Sequence, residues 1–287
     1  MVQIGQFNRL PILRHSDFGL FLDAGDGQSI LLPRRDIPAD QPCEPGDELE
    51  VFVYHDSEDR PVVTTRKPKV QVGEFASLKV VDINPVGLFL DWGLPKDLLL
   101  PHSEEQRPLQ VGDYCVVYVF LDDRSGRIAA SARLDRYLDK TPARYQVGEQ
   151  VDLLLTSSTE MGFKAIINHR HWGLLHRNEL FRHVRNGLSL KGYISEMRAD
   201  GKISLSLQPQ GGQGRDELSE RILARLRENG GQLLLSDKSS PSAITAAFGV
   251  SKNNFKKAIG GLYKQGLIVI HADHIAMNTD ISVTPLP

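Results

Sequence analysis

The chain has few cysteines and no long apolar segment. Cys43 and Cys115 are its only cysteines among 287 residues, and they stand far apart without metal-site spacing. Neither a disulfide framework nor a zinc site is indicated, and we expect both thiols to be reduced. No segment approaches the roughly 18 apolar residues that span a bilayer, and the first residues lack the basic and apolar stretches of a leader. We expect a cytoplasmic protein without membrane contacts.

Motifs of catalysis are missing as well. The sequence contains no G-x-x-x-x-G-K-[ST], no G-x-S-x-G and no H-E-x-x-H, the patterns of phosphate-binding loops, serine hydrolases and zinc proteases. His169 and His171 stand two residues apart without a nearby carboxylate or thiol, which makes a poor metal site. We therefore expect no catalytic residue, no bound metal and no cofactor.

The sequence also lacks a strong net charge, since its formal value is −2. The balance changes along the chain: residues 1–68 contain 7 basic and 12 acidic residues, and residues 69–140 contain 9 and 11. Residues 141–211 contain 9 basic and 6 acidic residues, and residues 212–287 contain 9 and 7. Because phosphate contacts require cations, a polyanionic partner should favour the second half of the chain.

Three glycine-led repeats precede the C-terminal part of the chain. Each begins with a glycine that is followed fourteen residues later by a second one, at Gly5 and Gly19, Gly73 and Gly87, and Gly148 and Gly162. Fourteen residues further on stand Pro33, Pro101 and His176, and a third glycine then opens a new apolar run at Gly46, Gly112 and Gly187. A period of roughly 70 residues is too long for a solenoid unit of about 20–50 residues, but it suits a small closed barrel.

Apolar residues alternate within each repeat, as they do in half-buried strands. Phe18, Leu20 and Leu22 are expected on one face of a strand, and Phe21 on the other. In the second repeat the pattern predicts five strands, at 74–83, 86–92, 97–100, 114–121 and 127–132. Five short antiparallel strands with one longer connection between the third and the fourth describe an OB-type barrel. We predict three such barrels, over residues 1–68, 69–140 and 141–211.

The composition changes near residue 210. Glycine and glutamine at 210–214 predict a linker, and a helix is expected to begin at Asp216 or Glu217. A short helix over 242–248, a second helix from the capping Ser251 to Tyr263, and two paired strands at 267–270 and 274–277 complete the predicted elements. Together they predict a small α+β winged helix over residues 212–287, after three mainly β barrels.

The repeats resemble a known RNA-binding unit. A glycine, about ten strand residues, an aromatic-glycine-x-aromatic strand, a GLLH-type strand and a final D-x-x-x-R strand are the pattern of the repeat in ribosomal protein S-one. The segments MGFKAIINHRHWGLLHRNELF and GYISEMRADGKISLSLQP, followed by the winged-helix tail, are similar to the conserved virulence factor B (YitL-type) family of bacterial RNA-binding proteins. The resemblance covers essentially the whole chain. It implies a non-catalytic regulator that binds single-stranded RNA and acts post-transcriptionally, in pathogens on virulence factors.

The resemblance also assigns RNA-binding positions in each barrel. They are Phe18, Phe21 and Arg60 in the first repeat, Phe89 and Arg127 in the second, and Lys164, His176, Arg198 and Lys202 in the third. The histidine of the pattern is present only in the third repeat, because prolines replace it at 33 and 101. The resemblance therefore favours RNA binding by the third barrel.

The third repeat adds aromatic and basic residues to this set. Phe163 and Trp172 stand near Arg177, Arg182 and Arg185, and rings interleaved with cations are typical of a surface that stacks unpaired bases. The alternative is that the two rings belong to the barrel core and that the arginines are a solvated surface. In the winged helix, Lys252, Lys256 and Lys257 stand at the start of the second of the two later helices, where groups that contact nucleic acid are expected.

Two other functions stay open on the sequence alone. One is a transcriptional regulator whose winged helix binds duplex DNA, a less favoured partner than single-stranded RNA. The other is an adaptor on the ribosome or the RNA-degradation machinery, with barrels that contact protein. The prediction is RNA binding mainly through the third barrel and the winged helix.

Overall fold

The alternating apolar residues of each repeat form strands with one buried face. The structure is a computed structural model that describes residues 2–180, 184–209 and 212–278. Leu20 and Leu22 are buried, whereas Phe21 between them is half-buried on the outer side of its strand. Phe18 does not share the face of the two leucines, because its strand begins only at Gly19 and Phe18 lies in the preceding turn with 76% of its surface exposed.

The first barrel contains five strands that close on themselves in the order β1-β2-β3-β5-β4. Their bounds are β1 (Phe7–Ser16), β2 (Gly19–Gly25), β3 (Gln28–Pro33), β4 (Glu48–His55) and β5 (Pro61–Thr64). Only the β3–β5 pair is parallel. A long connection between β3 and β4 and this strand order are those of an OB-type barrel.

The second and third barrels repeat this architecture. The second contains β6 (Phe75–Asn84), β7 (Gly87–Asp91), β8 (Leu98–Pro101), β9 (Tyr114–Leu121) and β10 (Ile128–Ser131). The third contains β11 (Gln150–Thr159), β12 (Gly162–Ile167), β13 (His171–His176), β14 (Ser189–Met197) and β15 (Ile203–Ser206). The prediction of three five-stranded barrels is confirmed, and each predicted strand end of the second barrel lies within one residue of the observed one.

The second glycine of each repeat allows close pairing of two strands. A Cβ added at Gly19 would lie 1.9 Å from the carbonyl oxygen of Leu32, and the corresponding distances are 2.3 Å at Gly87 and 2.1 Å at Gly162. Gly19 and Gly162 also have φ values of 147° and 150°, which L side chains rarely adopt. Steric exclusion therefore explains the regular glycine spacing in the sequence.

An acid–hydroxyl hydrogen bond recurs in all three barrels, buried in the first and partly buried in the other two. The acid stands three residues after Pro33, Pro101 or His176, and the hydroxyl stands in the fifth strand. The pairs are Asp36 with Thr64 at 3.0 Å, Glu104 with Ser131 at 2.6 Å, and Glu179 with Ser206 at 2.7 Å. Each bond ties the connection after the third strand to the end of the barrel, and sequence reasoning missed it because the acid changes between Asp and Glu.

The chain forms two compact units, Met1–Asp139 and Lys140–Pro287. Within the first unit, one hydrophobic cluster joins the second barrel to side chains of β4 and β5 in the first barrel. Phe52 and Trp92 meet there edge to face, with ring centroids 5.7 Å apart. The two barrels of this unit therefore share a packed interface. The three predicted boundaries between the four domains stay predictions.

The C-terminal region has the elements of a winged helix. They are α1 (Gly212–Glu228), β16 (Gln232–Leu233), α2 (Pro241–Phe248), α3 (Lys252–Lys264), β17 (Ile268–Ile270) and β18 (Ile275–Met277). Ser240 and Ser251 cap α2 and α3, each accepting a hydrogen bond from a backbone N–H. The sequence predicts a linker over 210–214 and a helix that begins at Asp216 or Glu217. This is wrong for residues 212–214, because α1 already begins at Gly212. Residues 210 and 211 lie outside the described residues.

The two cysteines lie in different barrels. Cys43 is half-buried and Cys115 is buried, and both are unpaired cysteines. Desolvation by burial raises the pKa of Cys115 to about 11, so the thiol stays protonated at neutral pH.

Within the described ranges, each helix is too short or too polar to cross a bilayer.

Candidate nucleic-acid interface

The outer face of the first barrel presents two phenylalanines in different settings. Phe21 pairs with Leu31 of β3, and the Arg14 guanidinium carbon lies 4.0 Å from the centroid of its ring. Phe18 lies in the turn before β2 and is largely exposed. Both predicted rings are therefore at the surface, where they can stack on a base.

The predicted cation of the first barrel is already paired with carboxylates. Arg60 lies at the β4–β5 turn, 2.8 Å from Asp56 and 3.0 Å from Glu58. Hydrogen bonding to Asp56 is the main cause of a raised pKa of Arg60, and the negative charges of Asp56 and Glu58 add to it. A phosphate at this position would meet two carboxylates beside one guanidinium, which is electrostatically unfavourable.

The outer face of the second barrel opens into a cleft that it shares with the first. Phe89 of β7 lies on this face across from Leu99 of β8. The inter-barrel cleft has a volume of about 750 Å³, and its aromatic lining consists of Tyr54, Phe89, Trp92, Phe120 and Tyr137. Val86, at the position that corresponds to Phe18, is exposed at its edge. Tyr54 and Trp92 are each only 3% exposed, so the ring surface of the cleft comes from Phe89, Phe120 and Tyr137.

Two cations in the inter-barrel cleft contact one carboxylate of the first barrel. Lys96 Nζ is 3.1 Å from Asp59 Oδ1, and the Arg127 guanidinium donates to Asp59 Oδ2. The hydrogen bond from Lys96 is the main cause of a lowered pKa of Asp59, so the carboxylate is charged at neutral pH. Sequence reasoning found Arg127 but missed Lys96 and Asp59, because these partners belong to different repeats.

The outer face of the third barrel combines a ring with cations. Pairing of β12 with β13 places Lys164, Trp172 and His176 on this face. The Lys164 ammonium is 3.9 Å from the centroid of the Trp172 ring, within the range of a cation–π contact. His176 Nε2 lies 3.3 Å from the Ser204 hydroxyl of β15. The structure thus brings three of the predicted RNA-binding residues together.

Phe163 has a different environment from Trp172. It pairs with Leu175 on the inner face and packs against the core of the third barrel. Arg177 and Arg185 are exposed, and Arg182 lies outside the described residues. Phe163 therefore lies on the core side of its strand, as the alternative interpretation of the two rings holds, whereas Trp172 lies on the outer face.

The final hairpin of the third barrel carries an excess of cations. Arg198 and Lys202 both contact Asp200, at 3.5 Å and 3.1 Å. The hydrogen bond from Lys202 is the main cause of a lowered pKa of Asp200. Two exposed cations share one carboxylate, so this turn keeps a net positive charge available to phosphate.

The lysines of the winged helix lie at the beginning of α3. Lys256 and Lys257 are exposed, and Lys256 Nζ is 4.0 Å from Asp237. Lys252 is half-buried in the first turn. Asn254 of the same turn donates to the Gln208 side chain at 2.6 Å. Because Gln208 follows β15, the start of α3 is tied directly to the third barrel.

The described residues contain no group of three or more histidine, cysteine or acidic side chains arranged to hold a metal. What the site residues offer instead is ring surface, guanidinium and ammonium groups. These groups bind bases by stacking and phosphates by charge.

Two family models match the chain. The S1 domain matches residues 4–66 and 72–133, and the CvfB-like winged helix domain matches residues 220–277. Both are families of nucleic-acid-binding domains, and neither indicates an enzyme activity.

Several known proteins are similar over most of the chain. A Bacillus subtilis protein named uncharacterized protein YitL is 32% identical, over 92% of this chain and 90% of its own length. Conserved virulence factor B of Staphylococcus epidermidis is 25% identical, over 96% of this chain and 94% of its own. A crystal structure described as a multidomain protein with nucleic acid binding domains from Streptococcus pneumoniae covers 96% of this chain and 98% of that one, with 25% identity and a TM-score of 0.43.

Three OB-type barrels followed by a winged helix define a protein built from nucleic-acid-binding domains. The chain belongs to the conserved virulence factor B (YitL-type) family, as the resemblance of its repeats indicated.

Proposed function

We propose that this protein is a non-catalytic regulator that binds single-stranded RNA and acts post-transcriptionally in the cytoplasm. Binding occurs mainly through the third barrel and the winged helix. The observation that carries the proposal is the outer face of the third barrel, where Lys164 lies over the Trp172 ring and His176 shares the same face. The four domains are proposed to span residues 1–68, 69–140, 141–211 and 212–287.

Single-stranded RNA fits this face because its bases are exposed for stacking. A ring on a strand surface can stack on any unpaired base, whereas duplex bases are accessible only at their edges. The charge that would meet the RNA backbone comes from Arg198 and Lys202, which share a single carboxylate. Ring and cations together support RNA over an uncharged ligand.

The winged helix extends the same surface in this proposal. The contact between Gln208 and Asn254 joins the end of β15 to the first turn of α3. Lys256 and Lys257 are exposed there and add positive charge near the third barrel. A strand of RNA bound at Trp172 could therefore continue along α3 without leaving a basic surface.

A role in gene expression is proposed from the family. Several relatives are named conserved virulence factor B, and the matched domains bind nucleic acids. A protein that binds RNA without catalysis acts by changing the translation or the degradation of its targets. The ribosome and the RNA-degradation machinery are further candidate partners for such a role, and co-sedimentation that survives ribonuclease treatment would indicate direct protein contact.

A competition shift assay tests the proposed partner. Labelled single-stranded RNA is bound to the full chain, and unlabelled single-stranded RNA or duplex DNA is added as the competitor. We expect single-stranded RNA to compete at much lower concentrations than the duplex. Preferential competition by duplex DNA would instead favour the second candidate function, DNA binding by the lysines of α3.

A further inference from the structure

The inter-barrel cleft has the size and the lining of a nucleotide site. Its volume of about 750 Å³ lies within the roughly 300–1,000 Å³ of small-molecule pockets. Phe89 lies on the outer strand face of the second barrel, and the half-buried rings of Phe120 and Tyr137 add ring surface from the same barrel. Lys96 and Arg127 add positive charge to the same lining. Rings with neighbouring cations are the groups that bind a base and its phosphate.

One carboxylate already stands where a phosphate would bind. Asp59 contacts both Lys96 and Arg127, although it belongs to the first barrel and they belong to the second. An anion held by an ammonium and a guanidinium is the arrangement expected for an RNA phosphate. Asp59 is thus positioned as an internal competitor of the RNA backbone.

The contacts of Asp59 are of the kind that a phosphate can displace. The side chains are solvent-accessible, with 41% of the Asp59 side chain and 61% of the Arg127 side chain exposed. Exposed ion pairs contribute little to stability. Lys96 is held near the cleft by a second hydrogen bond, from Nζ to the Asp56 carbonyl oxygen at 2.6 Å. Loss of the Asp59 contact would therefore leave this cation in place.

The walls of the cleft are fixed by packing. Phe52 of the first barrel meets Trp92 of the second within one hydrophobic cluster, and Tyr54 belongs to the same cluster. A packed interface of this kind resists rearrangement. His55, also in the lining, has a buried Nδ1 that makes no hydrogen bond within the described part of the chain. This atom is not exposed to the cleft, so the ligand contacts of the site come from its rings and cations.

We propose that the inter-barrel cleft is a second site for single-stranded RNA and that Asp59 weakens it by competing with the phosphate. This inference rests on the proposed function, since it assigns a further site for the same ligand. It explains how a barrel with Phe89 and Arg127 at its surface can bind RNA more weakly than the third barrel. Removing the carboxylate charge should therefore strengthen binding at the cleft.

The test compares two substitutions in the full chain, Asp59→Asn and Asp26→Asn. Both positions lie in the first barrel with left-handed backbone, at φ values of 59° and 51°, which asparagine also adopts. Both variants remove one negative charge, but only Asp59 contacts the cations of the cleft. The probe is a short single-stranded oligouridine, and the measurements are its affinity and its ultraviolet crosslinking to the peptide that contains Phe89.

We expect Asp59→Asn to raise crosslinking at Phe89 about threefold to fivefold, as the loss of a weak competing ion pair allows. Asp26→Asn should stay near the wild-type value, and adding Arg127→Gln to Asp59→Asn should remove the gain. If the wild-type protein binds RNA but the Asp59→Asn and Asp26→Asn proteins crosslink equally at Phe89, the inference is overturned and the proposed function stands. If the wild-type protein and every variant fail to bind RNA, the proposed function fails as well.

Discussion

The first and third barrels have the same fold but opposite charge balance at the turn before their last strand. In the first barrel, one guanidinium, that of Arg60, contacts two carboxylates. In the third barrel, Arg198 and Lys202 share one carboxylate, that of Asp200. The inner strand faces and the glycines preserve the barrel, and we expect exposed side chains at this turn to determine whether it attracts a polyanion.

Each of these barrels places a cation over a ring of its outer face. In the first barrel Arg14 lies over Phe21 and Phe18 is exposed, but residues 1–68 contain 7 basic and 12 acidic residues. In the third barrel the ring of Trp172 lies beside Lys164 and on the face of His176. The comparison therefore predicts that the charge around the ring, and not the ring alone, decides which barrel binds RNA.

Division of the chain at its compact units should have the largest effect. We expect a fragment of residues 140–287 to retain most of the RNA affinity and a fragment of residues 1–139 to bind at least about tenfold more weakly, because one stacked base alone contributes roughly 1–3 kcal/mol. Fluorescence anisotropy with single-stranded RNA measures both, and thermal melts verify that each fragment is folded. Stronger binding by residues 1–139 would reverse the comparison.

Two aromatic substitutions in the third barrel should differ in their effects, one lowering RNA affinity and the other lowering the free energy of unfolding. Trp172→Ala should weaken RNA binding by about 1–3 kcal/mol with a smaller change in unfolding, since the ring lies on the outer face. Phe163→Ala should lower the free energy of unfolding by about 3 kcal/mol, since this ring packs against the core. Thermal unfolding measured beside RNA affinity distinguishes the two residues. A strongly destabilised Trp172→Ala protein would assign Trp172 to the core instead.

The hairpin cations of the third barrel should determine the salt dependence. The combined Arg198→Ala and Lys202→Ala change should weaken binding to all RNA sequences and reduce the slope of log affinity against log salt by about 1.4, or roughly 0.7 for each phosphate contact. Titrations at several salt concentrations measure this slope. An unchanged slope would mean that neither cation contacts the RNA backbone.

The corresponding change in the first barrel should have the smallest effect. Arg60→Ala removes a guanidinium that two carboxylates already neutralise. We expect RNA affinity to change by less than about twofold, because an exposed ion pair has little net strength. Equilibrium titration of Arg60→Ala and of the Arg198→Ala and Lys202→Ala double variant measures both effects on RNA affinity. An equally large loss of affinity in both would show that the pairing of cations with carboxylates does not explain the difference between the barrels.

Sequence reasoning was accurate where local pattern determines structure. Strand alternation and the glycine spacing located the strands of the second barrel to within one residue, because a Cβ at Gly87 would collide with a carbonyl oxygen only 2.3 Å away. The start of α1 was misplaced because the glycine-rich composition predicts a linker, while the helix is stabilised by packing of buried residues such as Ile222. The strand β16 has two residues, too few to produce an alternating pattern.

The candidate site was harder to derive, because exposure depends on pairing between strands. The sequence places Phe163 and Trp172 in similar surroundings, but the register of β12 and β13 puts them on opposite faces. Asp59 was missed for a different reason. Its partners Lys96 and Arg127 are 37 and 68 residues away, in the next repeat, and no local pattern encodes a contact between barrels.

Mapping of RNA crosslinks on the full chain tests the central claim most directly. The protein is irradiated with single-stranded RNA, and the crosslinked peptides are identified by mass spectrometry. The account predicts that most crosslinks fall on the third barrel around Trp172 and His176 and on the first turn of α3, with fewer at Phe89 in the inter-barrel cleft. Crosslinks concentrated at Phe18 and Phe21, with none in the third barrel, would contradict it.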